Sequence, residues 1–355
     1  MSKSLLRTTL LSIGLLSIIA LTGQSCTIFG PSKQADGGAF RSDDQGQTWE
    51  QKAIIGTVDK KLVTIEKANG GIFVFHPSDP DTIYYGTRGN GLYRTEDAGE
   101  RWQVTGRQDG NVIALAIDPE EPEVLYAGYG PHIEKSFDGG ITWDRVYTES
   151  REQLVITSIV IEPNNADHIY ASNTGGVILE SLDRGQTWHV LHIFQSAVNQ
   201  LYMHPNDATI LMAIVDKKYL QRSGDAGLTW TPLQENLMQF NGANVVNALA
   251  FDTQQASRIY IATNYGLLRS NDLGSNWEAM QTLVPNNTLV IRTVHVDPRN
   301  SNNIFFTTEN KLHISKDAGA TWEVVTIPTS RLVTVYAIHP QRPDQHFIGT
   351  LFVEK

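Results

Sequence analysis

Ser42-Asp43-Asp44-Gln45-Gly46-Gln47-Thr48-Trp49 is one of seven copies of a single pattern. The others are TEDAGERW ending at Trp102, SFDGGITW at Trp143, SLDRGQTW at Trp188, SGDAGLTW at Trp230, SNDLGSNW at Trp277 and SKDAGATW at Trp322. Every tryptophan of the 355-residue chain falls in one of them, at spacings of 53, 41, 45, 42, 47 and 45 residues. A period of that size fits a four-stranded propeller blade. Within the consensus S-x-D-x-G-x-T-W, the Asp carboxylate suits backbone N–H groups across a turn, as in Asx turns. The Gly supplies positive φ, and the Trp opens the next strand and buries its ring against the neighbouring blade.

A second unit alternates with the first. Ile72–Pro77, Ala114–Pro119, Ser158–Pro163, Gln200–Pro205, Ala248–Thr253, Thr293–Pro298 and Val335–Pro340 each read as a short strand with period-two patterning. Phe73, Leu115, Ile159, Leu201, Leu249, Val294 and Tyr336 fill one column, and smaller residues such as Ala116, Ala250 and Ala337 fill the other face. An Ile- and Tyr-rich strand follows each. Seven inner pairs and seven Asp-box pairs therefore give an all-β chain, a single seven-bladed propeller of four-stranded blades. Because the chain starts with a box and ends with an inner pair, the strands around Gly38–Trp49 must complete the last blade. This closes the ring and removes open sheet edges.

Residues 1–26 are of another kind. Lys3 and Arg7 precede an uncharged run from Leu10 to Leu21, as in an export signal. Cys26, the only cysteine, follows directly. Its position resembles the lipid-modified cysteine of bacterial lipoproteins, with Ser25 fitting the site before it and Gly23 standing where Leu is usual. Three readings stay open: a lipid attached at Cys26, a signal that ends at an unmodified Cys26, or an uncleaved N-terminal anchor helix. Residues 27–38 read as a linker and 39–355 as the propeller. The expected location is the cell envelope, outside the cytoplasm and attached to the membrane.

The formal charge of −10 and pI near 5.5 exclude a phosphate-tracking surface, so no nucleic-acid partner is expected. No metal-binding, phosphate-loop or nucleophile-elbow motif occurs, and no cofactor or catalytic residue is assigned. His76, Asp118, Glu162, His204, Asp252, Asp297 and His339 recur at strand ends and read as turn caps. Asp44, Asp97, Asp138, Asp183, Asp225, Asp272 and Asp317 are structural, since a residue needed in every blade cannot mark one site. Binding candidates are loop-face positions that differ between blades: Arg88, Tyr129, His132, Lys217, Tyr265 and Arg292. His295 and Tyr202, in columns of small residues, read as packing adjustments.

The boxes resemble the Asp-box of the bacterial neuraminidase (BNR) repeat. Over the chain beyond the export segment, the repeats resemble the seven-bladed photosystem II stability and assembly factor family and the sortilin-type propellers. This resemblance implies a monomeric, non-catalytic scaffold that binds a protein or glycan. The assembly factors carry an arginine-rich patch, and no such cluster lies on one blade here. The alternative is a glycoside hydrolase related to xyloglucanases or sialidases. The sialidase motif Phe/Tyr-Arg-Ile-Pro is absent, because Arg258-Ile259 lacks the Pro. Xyloglucanases pair two propellers and place two carboxylates across a cleft.

Overall fold

Backbone pairing alone fixes the blade count. A computed structural model describes residues 36–354, in which seven antiparallel sheets contain the four strands of a blade. Blade 1 runs through Gly70–Phe75, Ile83–Gly89, Leu92–Thr95 and Gln103–Thr105. Blades 2 to 6 start at the inner strands Leu115–Ile117, Ile156–Glu162, Val198–His204, Val246–Phe251 and Ile291–Asp297. Blade 7 takes Leu332–Ile338 and His346–Leu351 from the end of the chain, then Ala39–Ser42 and Glu50–Lys52 from its beginning. The seal is the register Ala39↔Gly349, Phe40↔Ile348, Arg41↔Phe347 and Ser42↔His346. The propeller is closed as its repeat count requires.

The export segment, Cys26 and most of the linker lie outside the described residues. The linker's last residues are not a free tether. Asp36 accepts a bond from the Thr329 hydroxyl at 2.6 Å through its carbonyl, and its carboxylate takes the Ser330 N–H at 2.5 Å. Among the described residues no helix is long and apolar enough to cross a membrane.

Buried apolar side chains form one cluster at each of the seven seams between blades. Sheets that each expose two apolar faces are stable only when both are covered, which ties stability to stacking. Every box Trp packs in the seam with the preceding blade, but burial is complete only at Trp102 and Trp277. Trp102 is covered by a hairpin, Ile54–Val58 with Lys61–Thr64, whose Ile54 carbonyl accepts the Trp102 N–H at 2.7 Å. The other five remain half-exposed.

The boxes share one geometry. The Ser hydroxyl (Thr95 in blade 1) donates to the Asp carboxylate at 2.7–2.8 Å and accepts the Gly N–H. The second contact on the Asp is the N–H four residues on, at 2.8–2.9 Å. The residue between Asp and Gly is also left-handed, with φ of 54° at Ala98 and 55° at Arg184. Its N–H and carbonyl are thereby turned outward to neighbouring chain segments.

Candidate functional site

The inner strands surround an axial channel, and bulges at their entrances decide what faces it. In six blades the pairing register slips by one residue there, between Gly70/Ile72, Ile156/Ser158, Val198/Gln200, Val246/Ala248, Ile291/Thr293 and Val333/Val335. The extra residue of a bulge is re-aimed out of the pleat. Those residues are Gly71, Thr157, Asn199, Asn247, Arg292 and Thr334, and Ile113 holds the equivalent place in blade 2. All seven line one cavity of about 490 Å³, to which each blade contributes. That volume lies in the range of small-ligand sites.

The cavity mixes apolar walls with polar groups and is lopsided in charge. Arg88 and Arg292 line it, and no Asp, Glu or Lys does. Among the described residues neither guanidinium has a hydrogen-bond or ion-pair partner, and the buried Nε of Arg292 and Oγ1 of Thr334 are both unpaired. Arg88 reaches solvent, yet the channel wall strips enough water from its guanidinium to lower its basicity. It enters from the second strand of blade 1, where the ring position is Gly71. A Cβ at Gly71 would lie 2.7 Å from the Val112 carbonyl oxygen, so no side chain fits there.

The remaining ring members are partly used within the fold. Asn247 donates through Nδ2 to Asn264 Oδ1 at 3.1 Å and to the Ile291 carbonyl at 2.9 Å, leaving Oδ1 toward the channel. Asn199 accepts the Lys217 N–H at Oδ1 and keeps Nδ2 free among the described residues. Thr157 bonds the Val198 carbonyl of the next blade at 2.7 Å. Lower in the channel, the His295 ring lies tilted against Tyr336 at 5.0 Å, and burial pushes its imidazole down to about 4, so it is neutral at pH 7. Tyr202 touches the next blade through its hydroxyl, which accepts the Leu249 N–H at 3.4 Å.

Of the six candidates read from sequence, the structure brings Arg88 and Arg292 together at this cavity and leaves four off it. Tyr129 is no surface ligand: it is 4% exposed in the seam of blades 1 and 2, edge-on to Trp143 at 6.3 Å. His132 is half-buried, with Nδ1 3.2 Å from Thr148 Oγ1. Lys217 is exposed at a rim turn, and its carbonyl anchors the Val246 N–H at 3.0 Å. Tyr265 clamps the loops above blades 4 to 6. It packs 5.3 Å from Phe240 and accepts Asn286 Nδ2 at its hydroxyl, 2.8 Å away. Sequence reading missed Thr157, Asn199, Asn247 and Thr334. The signal was present as the column two residues before Phe73, Leu115 and their equivalents, the only inner-strand column that mixes Gly, Ile, Thr, Asn and Arg.

The strand-end residues cap turns in six of seven blades. His76 Nδ1 accepts the Asp79 N–H at 2.9 Å, and Asp118 takes the N–H groups of Glu120 and Glu121 at 2.9 and 3.0 Å. Corresponding bonds form at His204, Asp252, Asp297 and His339. Glu162 differs. It begins a row across blade 3, bonding His168 Nδ1 at 2.9 Å, while His168 Nε2 reaches Glu180 at 2.6 Å and Glu180 meets His189 at 2.7 Å. Among the described residues, no three His, Cys, Asp or Glu side chains are placed to share a metal ion.

A BNR/Asp-box repeat model matches residues 40–51, and a sortilin, neurotensin receptor 3 (Sortilin-Vps10) model matches 131–264. The chain is a seven-bladed propeller with one such box in each blade, the first of which matches the BNR/Asp-box repeat model. YCF48 bound to D1 peptide superposes on this propeller with a TM-score of 0.63 at 15% identity, covering 80% of this chain and 94% of that one. The GH74 xyloglucanase from Xanthomonas campestris superposes with a TM-score of 0.64 at 16% identity, covering 85% of this chain and 52% of the enzyme. Such likeness establishes the fold. In sequence, a xyloglucanase from Paenibacillus sp is 28% identical over 262 residues, 62% of this chain and 22% of the enzyme. A Hypocrea jecorina xyloglucanase is 27% identical over 228 residues, 63% of this chain and 25% of the enzyme. The propeller thus spans about a quarter of the length of the curated relatives it matches.

Proposed function

We propose that this propeller is a non-catalytic binding scaffold of the cell envelope, engaging a protein or glycan at its channel mouth. The observation that carries the reading is the cavity built by all seven inner strands. Among the described residues it holds two partnerless guanidiniums and no carboxylate. Most glycoside hydrolases use an acid and a second carboxylate about 5–10 Å apart across the scissile bond. A cavity without either suits recognition rather than cleavage. The superposition on YCF48 bound to D1 peptide is compatible with peptide binding at such a fold.

The second reading is a glycoside hydrolase, favoured by the sequence matches to xyloglucanases. Incubating the full-length protein with a panel of xyloglucan, acidic glycans and peptides separates the two. Binding without new reducing ends supports the scaffold. Hydrolysis that persists in a preparation purified to a single species overturns it, and loss of both binding and cleavage refutes the channel mouth as a site.

Attachment to the membrane through Cys26 belongs to the same proposal. Cys26→Ala is expected to move the protein from the membrane to the soluble fraction, since stable anchoring by lipid requires the acyl chains. Continued membrane association would assign anchoring to residues 1–26 as an uncleaved segment.

A further inference from the structure

The two arginines are not placed alike by chance of repeat. Arg292 occupies the bulged ring position of blade 6, where the other blades carry Gly, Ile, Thr or Asn. Arg88 comes from a different strand of blade 1, the blade whose ring position is Gly71. Between them stands blade 7 with the unpaired Thr334 hydroxyl. Buried donors normally find partners, and a guanidinium left without one in a narrow channel is a standing cost. An acidic chain of net charge −10 has carboxylates to spare, yet none of the described ones lines this wall.

We propose that the channel neck binds a carboxylate-bearing sugar of monosaccharide size, a uronic acid, with the carboxylate in the sector of Arg88, Thr334 and Arg292. Guanidinium groups match a carboxylate through paired N–H donors. Blades 4 and 5 offer a different chemistry on the same ring, the Asn199 Nδ2 donor and the Asn247 Oδ1 acceptor. Hydroxyl groups, each a donor and an acceptor, suit that mixture. A ligand charged at one end and hydroxylated at the other fits the ring better than a chain of alternating amides and side chains. This inference rests on the channel mouth being the binding face, and it adds the chemical class of the ligand.

Calorimetric titration of the intact protein with D-galacturonate, D-galactose, sodium sulfate and an acidic hexapeptide tests it. Galacturonate is expected to bind, with galactose weaker by roughly 10- to 100-fold, the loss of one charged hydrogen-bonded group. Arg292→Gln should remove that preference, Arg292→Lys should restore it in part, and neither should lower the melting temperature, because the Arg292 guanidinium bonds nothing among the described residues. Equal affinity for galactose and galacturonate would overturn the charge assignment while leaving the channel as a site. Binding of the peptide or of sulfate alone would overturn the sugar. A melting temperature that falls in Arg292→Gln would make the arginine a packing residue and end the proposal. No binding of any probe would also end it, and the broader scaffold reading would then stand or fall on the polymer panel.

Discussion

The Arg41 guanidinium donates to the Ala98 carbonyl at 2.7 Å, across the seam that joins blade 7 to blade 1. The acceptor is the left-handed residue of the next blade's Asp-box. In the three seams that follow blades 1, 2 and 3, a tyrosine from the second strand reaches it. Tyr84 bonds Gly139 at 2.9 Å, Tyr126 bonds Arg184 at 2.8 Å and Tyr170 bonds Ala226 at 3.1 Å. Blade 4 has Met212 and blade 7 has Phe347 at the tyrosine position. In both, the residue opposite on the neighbouring strand is an arginine, Arg222 against Met212 and Arg41 against Phe347. Arg222 duly bonds the Leu273 carbonyl at 3.1 Å. The same carbonyl is satisfied by two side chains of different length from two strands.

These bonds should be worth measuring one at a time. Tyr170→Phe removes one neutral bond and is expected to cost about 1 kcal/mol, and Arg222→Ala roughly 1–2 kcal/mol, by equilibrium denaturation. Arg222→Ala combined with Met212→Tyr should recover part of the loss. If the double variant is no more stable than Arg222→Ala, the two latches are not equivalent.

Closure of the ring rests on Phe40, which is 2% exposed among Phe305, Leu312, Tyr336 and Ile348. Phe40→Ala is expected to lower stability by about 3–5 kcal/mol, as for other large core truncations. The signature that separates it from an ordinary cavity is local. Hydrogen exchange at Phe347–Thr350 should accelerate more than exchange in blades 3 and 4, because that strand loses its only outer neighbour. Uniform acceleration around the ring would count against a special role for the closing seam.

The Asp-boxes predict an acid limit. Hydrogen bonds from Thr142 hold the Asp138 carboxyl down to about 2, and those from Thr321 do the same for Asp317. A carboxyl with a depressed folded value stabilises the fold above its unfolded value near 4, and that contribution is lost as pH falls toward 2. The melting temperature should therefore drop steeply between about pH 4 and pH 2. Asp138→Asn should flatten part of the slope. An unchanged slope in that variant would show that the boxes do not set the acid limit.

Asp-box spacing announced the blade number, and the order of box and inner pair announced the closure, because both depend only on counting. The channel ring was hidden by geometry. Strict alternation assigns Arg292 and Asn247 to the same face as Val294 and Leu249, the face packed in the seams. A one-residue bulge reverses that phase, and nothing in Ile291-Arg292-Thr293 marks a bulge. Tyr129 went astray for the opposite reason. It follows Gly128 at the end of a strand and reads as a loop tip, but a strand that continues through Tyr129 turns its ring into the seam. The second left-handed residue of each box was equally silent, since Gln45, Ala98, Arg184 and Leu273 share no side-chain type.

His346 gives the last test, at milder pH. Its Nδ1 accepts the Tyr336 hydroxyl at 2.6 Å and its Nε2 donates to the Pro343 carbonyl at 3.1 Å, an arrangement that needs the neutral ring. Burial pushes this imidazole down to about 4, and does the same at His295 and His313. The unfolded chain takes up protons near pH 6.5 that the folded ring refuses until about pH 4. Stability should consequently decline as pH falls through that interval, before the Asp-boxes begin to titrate. In a ¹H–¹³C spectrum the His346 ring should stay in its neutral position from pH 7.5 to 5. Titration of His346 near 6.5 would mean that the Tyr336 bond does not lock the ring, and that the centre of blade 7 is wetter than its packing implies.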